Sequence, residues 1–384
     1  MIMGKRALAG LFILNLLAGF LGAQERPWWF CLEQGRFYFR GGDYGGALNA
    51  FEDARRERRD AFTRMEQNLI ILLSLPEVRR LGDSLDQVEA YIAGRSQTAA
   101  AAALRELYYR VPRESLGGSV SRALGELGKL KDYPEAEYWI GEVYRVEGEP
   151  ALAIKQYQRA LEFRELLEDP LFDVDILYKM AELRRIRREY VEMEKNINEI
   201  LEGKDHDGNP RDGLWAGDAG SFVRRGMADI LGREDGITRF LTIYRYNNIP
   251  MEKAHRFLGF FYYDSGRHSP GPALEQLMFA FLIQNTVIIE ELIRSRYDFT
   301  FTGLEDLMEE VRKRPLLLSY LDEVEYFKTL YYLGTSLLGE GKLASARQFW
   351  LFLSRCPEAG QWGDRARRQL ASPGIERPVI DSGG

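Results

Sequence analysis

The chain has 384 residues, a formal charge of −6, 45% hydrophobic and 12% aromatic residues, three histidines and two cysteines. The apolar share supplies ample material for a continuous core. The mildly acidic balance favours solubility and argues against non-specific nucleic-acid binding.

In chain order, Lys5-Arg6 precede an uncharged run from Ala7 to Ala23 that ends Leu21-Gly22-Ala23. A positive start, an apolar run and a small-residue exit predict a secretory signal peptide over 1–23. Retention of residues 7–23 as an inner-membrane anchor is the alternative. No cysteine follows the run closely enough for a lipoprotein anchor, and the product is expected to be exported. Loss of Lys5 and Arg6 with the signal moves the charge from −6 to −8.

Residues 28–60 open on Trp28-Trp29-Phe30 and predict a first pair of helices. From 61 to 202 the apolar period predicts further helices joined by short turns, with Pro76, Pro112, Pro134 and Pro170 as start or stop signals. The stretches 61–74 and 116–130 are helical by period but fall outside any repeat. Strand-type alternation is absent. The Gly-, Asp- and Pro-rich stretch 203–217 marks a loop between an N-terminal half, 24–202, and a C-terminal half, 218–371. Within the second half, 274–314 departs from the regular pattern. It predicts one long helix from Leu274 to Arg296, a loop with Tyr297, Phe299 and Phe301, and a short helix from Leu304 to Arg314. Residues 372–384 predict a disordered tail. The basic runs at 55–59 and 184–188 predict solvated helix faces.

One spacing recurs. Gly35, Tyr38, Ala47, Phe51 and Ala54 are matched by Gly141, Tyr144, Ala153, Tyr157 and Ala160, and more loosely by Gly334, Leu337, Ala346, Trp350 and Leu353. Weaker copies run from Val88 to Pro112 and, with two residues inserted in the turn, from Gly259 to Ala280. Small and aromatic residues at steps of three and four share one helix face, so each pair packs a ring against a small residue. The pattern resembles the tetratricopeptide repeat (TPR), a helix–turn–helix unit of about 34 residues. The resemblance covers most of 28–371 and implies an all-α, superhelical solenoid of antiparallel helix pairs. An extended solenoid keeps Cys31 and Cys356 apart, so no bridge between them is expected.

What the resemblance further implies is a concave face, lined by first-helix residues, that accepts a peptide segment or a partner helix. The carboxylate-clamp positions of chaperone-binding members hold Leu32 and Arg36, Tyr138 and Glu142, and Tyr331 and Thr335, so the clamp is absent. The inward-facing candidates for partner binding are Arg36, Phe39, Arg40, Tyr138, Glu142 and Arg145, aromatic and arginine types that anchor interfaces.

Chemistry finds no residues in the sequence. Asp205, Asp207 and Asn209 start like a calcium loop, but Pro210 and Ala216 stand where the glycine and the bidentate glutamate belong. His206, His255 and His268 form no metal-spacing pair, and no nucleophile elbow or phosphate loop is present. No catalytic residue, metal or cofactor is therefore expected. The function expected is a non-catalytic periplasmic scaffold for protein partners in envelope or appendage assembly. Membrane contact is expected only through a retained N-terminal segment. The alternative is a periplasmic small-ligand binder with an apolar pocket among Tyr262, Tyr263, Phe279 and Phe281.

Overall fold

The computed structural model describes residues 27–73, 128–169, 171–204, 208–215, 217–264 and 270–374. Among the described residues the chain is all-helical, with fifteen α-helices and no strand beyond an isolated bridge between Lys204 and Pro210. The expected signal peptide, the repeat copy at 88–112 and the end of the tail lie outside the described residues. Two compact units divide between Arg187 and Arg188.

The first unit holds α1 (Trp28–Arg40), α2 (Tyr44–Leu73), α3 (Pro134–Val146), α4 (Pro150–Glu162) and α5 (Phe172–Ile186). Pro134 and Pro150 stand at first helical positions, where the missing N–H costs nothing. The stretch beyond residue 60 continues α2 unbroken to Leu73. Although 74–133 separates them in sequence, α1 and α2 pack directly on α3. Phe51 stacks on Trp139 with centroids 5.8 Å apart, and Arg55 pairs with Glu137 at 3.1 Å.

The second unit holds α6 (Tyr190–Glu202), α7 (Gly217–Leu231), α8 (Gly236–Ile243), α9 (Ile249–Asp264) and α10 (Pro270–Ser295), then α11 (Leu304–Arg312), α12 (Pro315–Glu323), α13 (Tyr326–Gly339), α14 (Leu343–Arg355) and α15 (Gln361–Ala371). The α10 helix is long and apolar enough to cross a membrane, yet 78% of its most apolar window is buried within the protein. Phe281 packs on Phe240 of α8 and Phe349 of α14, and Asn285 accepts a hydrogen bond from Tyr326 of α13 at 3.0 Å. It is the central core helix of this unit.

The repeated spacing has a direct structural cause. A Cβ on Gly141 would meet the Tyr157 ring at 2.7 Å, and one on Gly334 would meet Trp350 at 2.9 Å. Gly35 bears the same relation to Phe51, and Gly259 to Leu277, which lies two residues further along. Each hairpin turn also repeats. Gly42, Gly148 and Gly341 take φ of +80°, +80° and +74°. The following N–H reaches back five residues in every case, from Asp43 to Tyr38 at 3.0 Å, Glu149 to Tyr144 at 2.8 Å and Lys342 to Leu337 at 2.8 Å. This is the helix ending that only a residue tolerant of positive φ closes without strain.

Two expectations need correction. The 203–217 loop does not separate the halves; the division comes one helix earlier, and α6 belongs to the second unit. Tyr190 lies 5.7 Å from Phe261 of α9, and Tyr262 donates to Glu194 at 2.7 Å. Nor are the basic runs wholly solvated. Arg58 is fully buried, donates to the Leu130 carbonyl at 2.9 Å and lies 4.4 Å over the Tyr133 ring, and Arg184 is buried as well. Arg56 of the same run stays exposed. Cys31 and Cys356 are free and buried.

Candidate functional site

The first helices of the first unit touch one another through a repeating pair of positions. The residue after the packing glycine on one helix meets the residue two before the packing position on the next. Arg36 of α1 thus lies 5.4 Å over the Trp139 ring of α3. Glu142 of α3 accepts from Lys179 of α5 at 3.1 Å. The six sequence candidates all lie on these two helices, α1 and α3, in unequal roles.

Arg36 is half-buried, pairs with Glu33 at 2.6 Å and leaves its Nε without a partner. The adjacent Trp139 Nε1 is likewise an unpaired donor. Phe39 is half-buried between Trp139 at 5.4 Å and Tyr44 at 5.5 Å. Arg40 is exposed at the end of α1, and Arg145 is exposed near the end of α3.

Tyr138 and Glu142 do not present to solvent. Tyr138 is core, 4.5 Å from Phe172 and 5.8 Å from Tyr157, because α5 covers the face that the sequence left open. Glu142 is 4% exposed and already saturated by Arg145 at 2.9 Å, Lys179 and the Tyr157 hydroxyl. Burial alone pushes the Glu142 carboxyl up, but hydrogen bonds from Arg145 and Tyr157 and the Lys179 charge outweigh it and hold the group below the usual range. The candidates that keep exposed or half-buried surface are Arg36, Phe39, Arg40 and Arg145, beside half-buried Lys179, which sequence reasoning did not single out.

A second polar cluster lies in the second unit. Asp212 and His255 are fully buried, with Asp212 Oδ2 2.7 Å from His255 Nε2. Gln276 Oε1 lies 2.7 Å from His255 Nδ1, and the His255 ring stacks on Phe279 with centroids 4.9 Å apart. Asp212 Oδ1 also accepts from the Trp215 N–H at 2.9 Å and the Tyr246 hydroxyl at 2.8 Å. Burial opposes ionisation of Asp212, yet the His255 and Tyr246 contacts hold its carboxyl below the usual range. Both imidazole nitrogens are occupied and no face of the ring is open, so the pair anchors the 208–215 loop to α9 and α10 rather than moving protons to a substrate. The 43-residue separation of Asp212 and His255 leaves no local sequence signal for it.

Other chemistry is equally enclosed. Burial, with a hydrogen bond to Glu358, pushes the Cys356 thiol up to about 11, the opposite of an activated thiolate. Among the described residues no group of three or more His, Cys, Asp or Glu side chains is arranged to hold a metal ion. Asp205, His206 and Asp207 of the calcium-like loop lie outside the described residues. Phe279, Phe281 and Tyr263 are buried core and Tyr262 is half-buried, so these four line no opening for a ligand.

No protein-family model matches the chain. It is 24% identical over 349 residues, covering 90% of each sequence, to a protein of Treponema pallidum (strain Nichols) described as an uncharacterized protein.

Proposed function

We propose that this chain is a non-catalytic helical-repeat scaffold of the TPR type, exported to the periplasm, that holds protein partners during envelope or appendage assembly. The observation that carries this reading is the glycine-to-ring hairpin with its identical turn, present at Gly35–Phe51, Gly141–Tyr157 and Gly334–Trp350. Hairpins that share this packing stack into a solenoid, and solenoids bind along the face of their first helices. In the first unit that face carries Arg36, Phe39, Arg40, Arg145 and Lys179. The cationic side chains of that face favour a partner that brings oxygen acceptors, such as an acidic side chain.

Photo-crosslinkers placed at Arg36, Arg145 and Lys179 of the tagged protein in its native cell test this reading. Discrete envelope-protein adducts, reduced by Arg40→Glu, are the expected result. A folded, exported protein that yields no protein adduct from any of the three positions would overturn it.

A further inference from the structure

Two basic triplets of the second unit converge at the end of α10. Arg294-Ser295-Arg296 leads into Tyr297, and Arg312-Lys313-Arg314 leads, past Pro315, into Leu316. A hydrogen bond from Arg314 Nη2 to Ser295 Oγ at 2.5 Å ties one triplet to the other. The residues that follow them are the two most exposed large apolar side chains described, Tyr297 at 95% and Leu316 at 86%. Their neighbours Phe299 and Leu317 are buried, so the exposure is not that of a frayed segment.

The cations around this pair face outward. Arg294, Lys313 and Arg296 have side-chain exposures of 75%, 65% and 51%. Their acidic neighbours are Glu291, 2.6 Å from Arg294, Glu310, 2.7 Å from Lys313, and Asp298, 3.8 Å from Arg296. Arg296 and Arg314 also lie near Glu310, the partner of Lys313. The four cations Arg294, Arg296, Lys313 and Arg314 thus exceed the three carboxylates Glu291, Asp298 and Glu310 by one charge, on a chain of formal charge −6. Exposed ion pairs of this kind contribute little and exchange readily for other anions. An exposed tyrosine and an exposed leucine, each within two positions of an arginine, match the requirements of a lipid interface. The apolar tips enter the acyl boundary and the cations meet phosphate.

We infer that the edge formed by Tyr297 and Leu316, with Arg294, Arg296, Lys313 and Arg314, is a peripheral docking surface for an anionic phospholipid bilayer. This contact is independent of residues 1–23 and of the partner-binding reading of the first unit. It relies on reversible insertion of two side chains, not on a spanning segment.

The test uses the full chain carrying an environment-sensitive fluorophore at Thr300→Cys, an exposed position beside the patch, with unlabelled wild type treated identically as control. Vesicles contain either phosphatidylcholine alone or phosphatidylcholine with phosphatidylglycerol. A blue shift and quenching by lipid-borne quenchers are expected only with the anionic vesicles. Arg296→Glu/Lys313→Glu should cut partitioning by about fivefold or more for each cation lost. Tyr297→Ser/Leu316→Ser should remove the lipid quenching while each variant keeps the wild-type urea midpoint. No shift with either vesicle would overturn the inference. So would a shift produced by poly-glutamate and not by vesicles, which would assign the patch to an acidic protein. A shift unchanged in both variant pairs would overturn it as well, by tracing the signal to other residues.

Discussion

The ring of Tyr157 occupies the space that a methyl group on Gly141 would need, 2.7 Å from where that carbon would sit. The two residues lie on opposite arms of one hairpin, and the absence of a side chain on the first is what admits the second. Gly141→Ala forces the ring aside in a packed core and should cost about 1–3 kcal/mol. Gly45, on the following arm of the first hairpin, has open space around it. Gly45→Ala should instead raise stability by about 0.5–1 kcal/mol, since alanine orders a helix more cheaply. Urea midpoints of the two variants are expected to move in opposite directions.

Arg188 holds φ of +60°, in the register position that Gly42, Gly148 and Gly341 fill elsewhere. A side chain there costs about 1–2 kcal/mol that glycine avoids. Arg188→Gly should raise the thermal midpoint, offset in part by the entropy of the unfolded glycine. Arg187→Gly, at φ of −78°, should lower it.

Glu142 is a buried anion whose folded carboxyl lies below its ordinary value of 4.5. Its stabilising contribution is therefore present above that value and is lost as pH falls through the lower folded value. Glu142→Gln should cost about 1.5–3 kcal/mol at pH 7, through weakened charge-assisted hydrogen bonds to Arg145 and Lys179. The gap between variant and wild type should close in acid, as read by urea titrations at neutral pH and near pH 3.

Arg58 and Arg56 stand two residues apart with opposite fates. Arg58→Ala empties a fully buried site and strands the Leu130 carbonyl, at a cost of about 3 kcal/mol. Arg56→Ala should stay within about 0.5 kcal/mol of wild type. Equal effects from the two would contradict the burial of Arg58.

Asp212→Ala removes the acceptor of the Trp215 N–H and the Tyr246 hydroxyl and leaves His255 Nε2 buried without its partner. A loss of about 3–5 kcal/mol is expected. Hydrogen exchange should locate it, with protection lost first at Leu214 and Trp215.

The hairpins were legible in the sequence because their cause is local. A glycine, a ring sixteen residues later and a turn glycine between them are set by one pair of helices. The relation even survives two inserted residues at Gly259 and Leu277. What was not legible depends on the next layer of packing. Tyr138 and Glu142 stand where a groove-lining residue belongs, yet Phe172 and Lys179 of α5 close over them. Arg58 sits in a run of charges whose composition says solvent, and only the return of the chain at Leu130 and Tyr133 buries it. The Asp212–His255 contact joins a loop to a helix with no repeated spacing to reveal it. Tyr297 and Phe299 are indistinguishable by type, and only the fold turns one outward and the other in.

The direct packing of α2 on α3 bears on the order in which the first unit assembles. Lys131 meets Glu66 at 2.5 Å and Arg58 meets Leu130, so the chain returns to the helix it left. Among the described residues these ties, with that of Arg55 to Glu137, span 65 to 82 positions of sequence. Closing so long a loop costs more chain entropy than closing a hairpin such as Gly141–Tyr157, whose packing partners lie sixteen positions apart. The hairpins of the first unit are therefore expected to form before α2 docks on α3.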